Sequence, residues 1–340
     1  MTVAPSELAT QPIGEGAPVA EGVWQLKLPV PFPLRFVSVY LVRGDGGWTL
    51  VDAGYDYPPA RAAWEAGAAA AGCDLAWDVD RIVVTHFHPD HIGAARWLGE
   101  KTGAPVNMME REIPSARKLW GSSDTGPFME YLVRQGMDRD MAEEAAAAMR
   151  YVLPLPEAMV PLRPDGKLPL RESAARIVHA PGHADNQIVL HDEARGILFA
   201  ADHLLLGITP NIGLWPESEP HPLARYLLSL QDMRGLGVDL VLPGHGPVFH
   251  DLDGRISELV SHHEERLEAM RREISDRPKT PYEVSRIVFR GTLTEHQRCF
   301  ALAETLAHLD HLVLEGRAHR TENETVVFGP RKSATKELTS

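Results

Sequence analysis

Three histidines and an aspartate crowd the short stretch Thr85-His86-Phe87-His88-Pro89-Asp90-His91-Ile92-Gly93. Imidazole nitrogen and carboxylate oxygen are the donors that suit zinc and neighbouring divalent metals. A surface turn that happens to be rich in histidine is the plain alternative, but the density of donors and the stiffening Pro89 weigh against it. The flanking residues say how such a cluster would be held. Arg81-Ile82-Val83-Val84 is apolar and β-branched, the pattern of a short buried strand, and Ile92 to Leu98 has helical spacing. The four donors therefore stand on a strand-to-helix turn, where alternate side chains can be aimed at one point.

The H-x-H-x-D-H arrangement of His86, His88, Asp90 and His91 resembles the signature of the metallo-β-lactamase superfamily. Further motifs resemble that family in order and kind. They are Leu50-Val51-Asp52-Ala53-Gly54 upstream, and Pro181-Gly182-His183, Ala200-Ala201-Asp202 and Pro243-Gly244-His245 downstream. The likeness runs over roughly residues 20–250. It implies an α/β fold: an αββα sandwich with a helical insertion at about 111–159, here followed by a small winged-helix-like C-terminal domain. The expected partition is a flexible tail over 1–18, the metal-bearing domain over 19–252, the C-terminal domain over 253–330 and a disordered tail over 331–340. Two positions depart from the commonest family pattern, Ala94 after Gly93 and Ala201 before Asp202, where glycine is frequent.

By the same resemblance, His86, His88 and His183 would hold one metal ion, and Asp90, His91 and His245 a second, with Asp202 bridging. Two divalent ions are expected, zinc by default, with iron or manganese open to the same N/O donors. A hydroxide shared by the pair would then attack an ester, thioester or lactone carbonyl, with Asp90 orienting it as the catalytic carboxylate. The implied role of Asp52 is to support the ligand turn, since a ligand imidazole needs its second N–H anchored. The branch that resembles glyoxalase II and the lactonases fits best. A single-strand endoribonuclease and a non-catalytic metal-binding protein are the alternatives. The absence of a Lys/Arg cluster argues against a glutathione thioester.

Length and composition set bounds on these readings. The chain has 340 residues, enough for one large domain and one small one, and its net charge of −13 argues against general affinity for nucleic acid or anionic membrane. Cys73 and Cys299 form no C-x-x-C pair and no disulfide framework. The first residues lack a basic start followed by an apolar core, and no apolar run approaches spanning length. A cytoplasmic protein without nucleic-acid or membrane partners is expected, acting on a small acyl substrate; a homodimer is left open.

Along the chain, Val23–Leu28, Phe36–Val42 and Trp48–Val51 read as strands, with Arg43-Gly44-Asp45-Gly46-Gly47 turning the last two into a hairpin. The proline-rich connector 29–35 carries Phe32, either a wall of a substrate pocket or a plain linker. An Ala-rich helix over Pro58 to Gly72 turns Trp64 inward. The insertion holds Trp120, Phe128, Met129, Tyr131, Met137 and Met141, which suit either a satellite core or a cap receiving an apolar acyl group. Asn211 and Trp215 lie on a loop that borders the metal in related proteins. The substrate-contact candidates are thus Phe32, Trp120, Phe128, Asn211 and Trp215. Near the end, Thr280-Pro281-Tyr282-Glu283 is a capping box, a long helix follows from about Glu295, and Thr321 to Phe328 suits a hairpin. The acidic residues Glu295, Glu304, Asp310 and Glu315 on that helix favour a packing or dimerisation module over a nucleic-acid reader.

Overall fold

The computed structural model describes residues 11–150 and 152–331. Residues 1–10 of the tail expected at 1–18, and residues 332–340 of the tail expected at 331–340, lie outside them. The described part of the N-terminal tail is shorter than expected, because Gly16–Ala20 forms β1, paired antiparallel with β2 (Val23–Pro29).

Among the described residues, the chain builds two facing sheets. The first runs in order β1, β2, β3 (Phe36–Arg43), β4 (Trp48–Val51), β5 (Val79–Val84), β6 (Val106–Met109) and β7 (Val160–Leu162). Its first four strands are antiparallel and its last four parallel, so β4 belongs to both halves. The second sheet has the order β12 (Leu240–Pro243), β11 (Ile197–Ala201), β10 (Ile188–Asp192), β9 (Ser173–His179), β8 (Lys167–Leu170). Alternation decides which face is buried between them. Tyr40, Val42, Val51, Val83 and Met109 from the first sheet meet Ile177, Ile188, Leu190, Phe199 and Leu242 from the second in one apolar core.

The opposite face of the first sheet is also apolar, as parallel strands with a covered back require. The helix α1 (Pro58–Ala70) packs on β2, with Gly67 so close to Leu26 that a Cβ there would stand 2.5 Å from its side chain. The indole of Trp64, fully buried, donates to the Ala53 carbonyl at 2.7 Å and ties this helix to the segment after β4. Two short helices follow β5, α2 (Pro89–Ile92) and α3 (Ala95–Thr102), then α4 (Glu112–Trp120) follows β6.

The remaining helices are α5 (Gly126–Arg134), α6 (Arg139–Ala148), α7 (Pro222–Asp232), α8 (Leu252–Glu273), α9 (Pro281–Val288) and α10 (Glu295–Leu314), and the hairpin β13 (Ala318–Glu322) and β14 (Val326–Pro330) follows them. The chain divides into two compact units. Among the described residues, one takes in 11–122, 152–210 and 229–257; the other takes in 123–150, 211–228 and 258–331. The linear partition expected from sequence therefore differs from the observed one. The insertion is cut after α4, and α5 and α6 fold with the C-terminal segment. The reason is apolar: α10 is buried along most of its length and packs against α6, α9 and β13, so it needs partners that the C-terminal segment alone does not supply. The expected capping box is present, Thr280 and Glu283 satisfying each other's backbone N–H, and Thr294 with Gln297 makes a second.

Candidate metal centre

All seven expected ligands lie in the unit that contains the two sheets. Each follows a strand end: His86, His88, Asp90 and His91 after β5, His183 after β9, Asp202 after β11 and His245 after β12. Their donor atoms form three overlapping groups, each with donors within 4.8 Å of one another: His86, His88 and His183; His86, His91 and Asp202; Asp90, His91 and His245. Asp202 joins the groups. Its Oδ1 lies 3.4 Å from His91 Nε2, and its Oδ2 lies 3.4 Å from His245 Nε2 and 3.5 Å from His183 Nε2.

Hydrogen bonds decide which ring nitrogen each histidine offers. Asp52 accepts from the Thr85 N–H at 2.8 Å and from the Thr85 hydroxyl at 2.9 Å, while its other oxygen lies 2.8 Å from His91 Nδ1. The Thr85 proton is thus directed to the carboxylate, leaving a hydroxyl lone pair to accept from His86 Nδ1 at 3.0 Å. The Phe36 carbonyl accepts from His245 Nδ1 at 2.8 Å. With Nδ1–H anchored in each of these three, Nε2 is the free donor, the arrangement that fixes ligand tautomer and angle. His88 differs, for it turns Nδ1 inward, 3.1 Å from His86 Nε2.

The electrostatics are those of a cation site. Burial holds His86 well below the ordinary histidine range, with His91 and His88 adding to the effect. Burial and the neighbouring His183 lower His88 to about 3. Burial opposes charge on His91 and His245 as well. There Asp202 and its fellow carboxylates win, holding His91 well above its usual value and raising His245 to about 10. Burial works against ionised Asp90 too, but His91 and His245 bring it down to about 2, and Asp202 is also held well below its usual range. Among the described residues, the buried His91 Nε2, His245 Nε2 and Asp202 Oδ1 make no hydrogen bond of good geometry despite the short separations. Such atoms are costly unless a cation or a further donor meets them. The closeness of the backbone confirms how tightly the space is drawn: a Cβ on Gly244 would stand 2.2 Å from Asp202 Oδ1 and 2.9 Å from His91 Cε1. The donor set fits a pair of divalent ions.

The sandwich locks these turns to one another. The Gly244 carbonyl accepts from Ser38 N–H at 2.6 Å, the Pro243 carbonyl accepts from the Tyr40 hydroxyl at 2.6 Å, and Thr85 O accepts from Ile188 N–H at 3.0 Å. Two residues near the turn carry roles that their sequence context does not signal. Glu112, fully buried at the start of α4, accepts from Phe87 N–H at 3.3 Å through one oxygen and from Asn186 N–H at 3.2 Å through the other. Burial pushes its carboxyl up to about 8. A glutamate in the first turn of an amphipathic helix ordinarily faces solvent, so only the structure identifies it.

The substrate-contact candidates separate. Trp120, the second of those residues, is buried, and its indole donates to the Phe87 carbonyl at 2.7 Å, on the histidine-rich turn. Phe32 is half-buried, edge-on to Tyr55 with ring centroids 5.1 Å apart. Phe128, Asn211 and Trp215 belong to the other unit. Asn211 donates there to Phe300 O at 3.3 Å and to Glu304 Oε2 at 3.1 Å. Phe128 lies 6.2 Å from Trp215, which meets Phe300 at 5.3 Å. His203, the neighbour of Asp202, has Nε2 3.0 Å from Ser229 Oγ.

Residues 32–245 match the Metallo-beta-lactamase superfamily. The chain belongs to this superfamily. Residues 267–330 match the metallo-beta-lactamase-like C-terminal domain. The chain is 27% identical over 320 residues to the "Probable metallo-hydrolase YqjP" of Bacillus subtilis, covering 92% of this chain and 99% of the relative. Among solved structures, a metallo-beta-lactamase family protein of Thermus thermophilus is 33% identical with a TM-score of 0.81, over 92% of this chain and 99% of that one. A beta-lactamase domain protein from Burkholderia ambifaria is 31% identical with a TM-score of 0.84, over 94% and 96%.

Proposed function

We propose that this metal-dependent hydrolase cleaves a carboxylic ester, thioester or lactone of a small acyl substrate by attack of water, in the manner of the glyoxalase II-like and lactonase-like branch. The broad class, a metal-dependent hydrolase of the metallo-beta-lactamase fold, follows from family membership and from the His/Asp clusters. The observation that carries the finer reading is the carboxylate Asp202, placed 3.4–3.5 Å from histidines of both donor groups. Divalent ions bound there, zinc by default, would lower the pKa of water toward neutrality and take up negative charge on a carbonyl oxygen.

The chain's own residues divide the remaining work. His86, His88 and His183 would hold one ion, Asp90, His91 and His245 the other, and Asp202 both. Asp90 supplies a carboxylate acceptor that can orient the attacking water. Asp52, through Thr85 and His91, fixes the angle of the turn. A cysteine nucleophile is disfavoured on physical grounds, because burial raises both Cys73 and Cys299 to about 12. The small-molecule reading also suits the C-terminal segment. The succession of α8, α9, α10 and the β13–β14 hairpin supports a winged-helix-like module, yet its third helix is buried from Cys299 to Leu312 with few gaps, which favours packing over reading of nucleic acid. No described helix is long and apolar enough to cross a membrane; a cytoplasmic setting completes the proposal.

A screen of acyl-CoA, aryl ester, lactone and phosphodiester substrates with zinc-, manganese- and iron-loaded protein tests it. Turnover confined to the carbonyl substrates is expected. Cleavage of RNA or of phosphodiesters alone would overturn it in favour of the endoribonuclease reading.

A further inference from the structure

We propose that Glu112 is a positioning residue for the His86–His88–His183 group, setting the distance between the two turns that carry it. This rests on the metal-centre reading above. The two N–H groups that its carboxyl engages are not arbitrary. Phe87 lies between His86 and His88, on the turn after β5 of the first sheet. Asn186 lies three residues beyond His183, on the loop between β9 and β10 of the second. One side chain thus spans from one sheet's ligand turn to the other's. The far end of the same helix completes the hold, because Trp120 donates to the Phe87 carbonyl. Both polar groups of Phe87 are therefore fixed by α4, and the histidines on either side of it inherit their direction from that backbone.

Burying a carboxyl is costly, and stability alone gives no reason to retain one where a neutral or apolar side chain could pack. A carboxyl does provide two acceptor oxygens at fixed separation, one for each N–H. The other donor group does not depend on it. His91 is held by Asp52 and His245 by the Phe36 carbonyl, and Asp90 lies 3.2 Å from His245. The inference therefore predicts an asymmetry: disturbing Glu112 should loosen one metal equivalent and leave the other.

The experiment titrates cobalt(II) and zinc into full-length wild type, Glu112→Ala, Glu112→Gln and Trp120→Phe against a competing chelator, with cobalt absorption bands and thermal unfolding recorded in parallel. His88→Ala marks which equivalent belongs to the histidine group. That equivalent should bind roughly 10–100-fold more weakly in Glu112→Ala, the range typical when a partner of a ligand is lost. The loss should be smaller in Glu112→Gln, which keeps one acceptor, and Trp120→Phe should shift the same equivalent. The other equivalent should be unchanged. Glu112→Gln, which keeps the side-chain volume, carries the test if the alanine variant does not fold. Equal weakening of both equivalents, or wild-type binding of both in a folded Glu112→Gln and Trp120→Phe, would overturn the inference. Wild type that takes up no metal would overturn the metal-centre reading and this inference with it.

Discussion

Asp52 Oδ2 lies 2.8 Å from His91 Nδ1, and the backbone that delivers it has a φ of 64°. A left-handed aspartate costs conformational energy, and here the hydrogen bonds from Thr85 and His91 hold it in place. Replacing it by alanine should leave the fold and weaken metal binding roughly 10–100-fold, with activity falling in step. Chelator competition and circular dichroism on Asp52→Ala check this. Wild-type affinity in the variant would show that the contact does not orient His91.

Gly244 is the second position where the backbone itself shapes the centre. A methyl group there would overlap Asp202 and press on His91. Gly244→Ala should therefore lower kcat/KM by about 100-fold or more, since displacement of reacting groups by about 1 Å has that effect. Steady-state kinetics against the substrate found in the screen measure it. An alanine variant with unchanged kinetics would mean that the carboxylate of Asp202 has room to move.

Ala201 stands at φ 46°, directly after a register shift between β11 and β12. Glycine is free of the Cβ penalty in this region, whereas alanine carries it. Ala201→Gly should stabilise the protein by about 1 kcal/mol in chemical denaturation, after allowing for the greater chain entropy of glycine. A loss of stability would place the strain elsewhere.

The second unit should respond to acid through a buried histidine pair. His308 Nδ1 donates to the Glu304 carbonyl at 2.7 Å, so its Nε2 accepts, and His263 Nδ1 donates to it at 3.0 Å. His308 must be neutral for this, whereas His263 needs only its Nδ1 proton. Burial, reinforced by the facing partner and by His262, Arg266 and His311, lowers His263 to about 2, and burial lowers His308 to about 3. A group whose folded pKa is depressed takes up more protons when unfolded, so stability falls as pH drops below the unfolded value of about 6.5 and goes on falling toward 3. Glu304 acts oppositely, since burial raises it to about 6: its contribution to stability grows as pH falls through that value and is fully present below its unfolded pKa, but its displacement is smaller than either histidine's. Urea denaturation from pH 7 to pH 4 should show a net loss. A pH-independent midpoint would mean that the pair is hydrated and titrates normally.

Much of this was legible in the sequence because it is local. The histidine-rich turn between β5 and α2, the capping box at Thr280, the helix around Trp64 and the terminal hairpin each depend on neighbours a few residues away. The short strands β1, β7 and β8 were not, since three to five residues such as Val160–Leu162 carry no periodicity and pair only because a sheet edge is available. The placement of α5 and α6 with α10 was hidden for a different reason. Apolar helix faces say that they will be covered, not by which segment. Glu112 and Trp120 were opaque in the same way: a glutamate and a tryptophan on one amphipathic helix reveal their hydrogen bonds to Phe87 only when residues 87 and 186 are brought to them.

The most direct measurement is metal stoichiometry by elemental analysis after equilibrium dialysis, on wild type and Asp202→Ala side by side, with turnover recorded on the same samples. Two equivalents of divalent metal per chain in wild type are expected, with Asp202→Ala losing metal and all measurable turnover. Wild type that holds no metal while turning over substrate, or Asp202→Ala with full metal and full activity, would contradict the account.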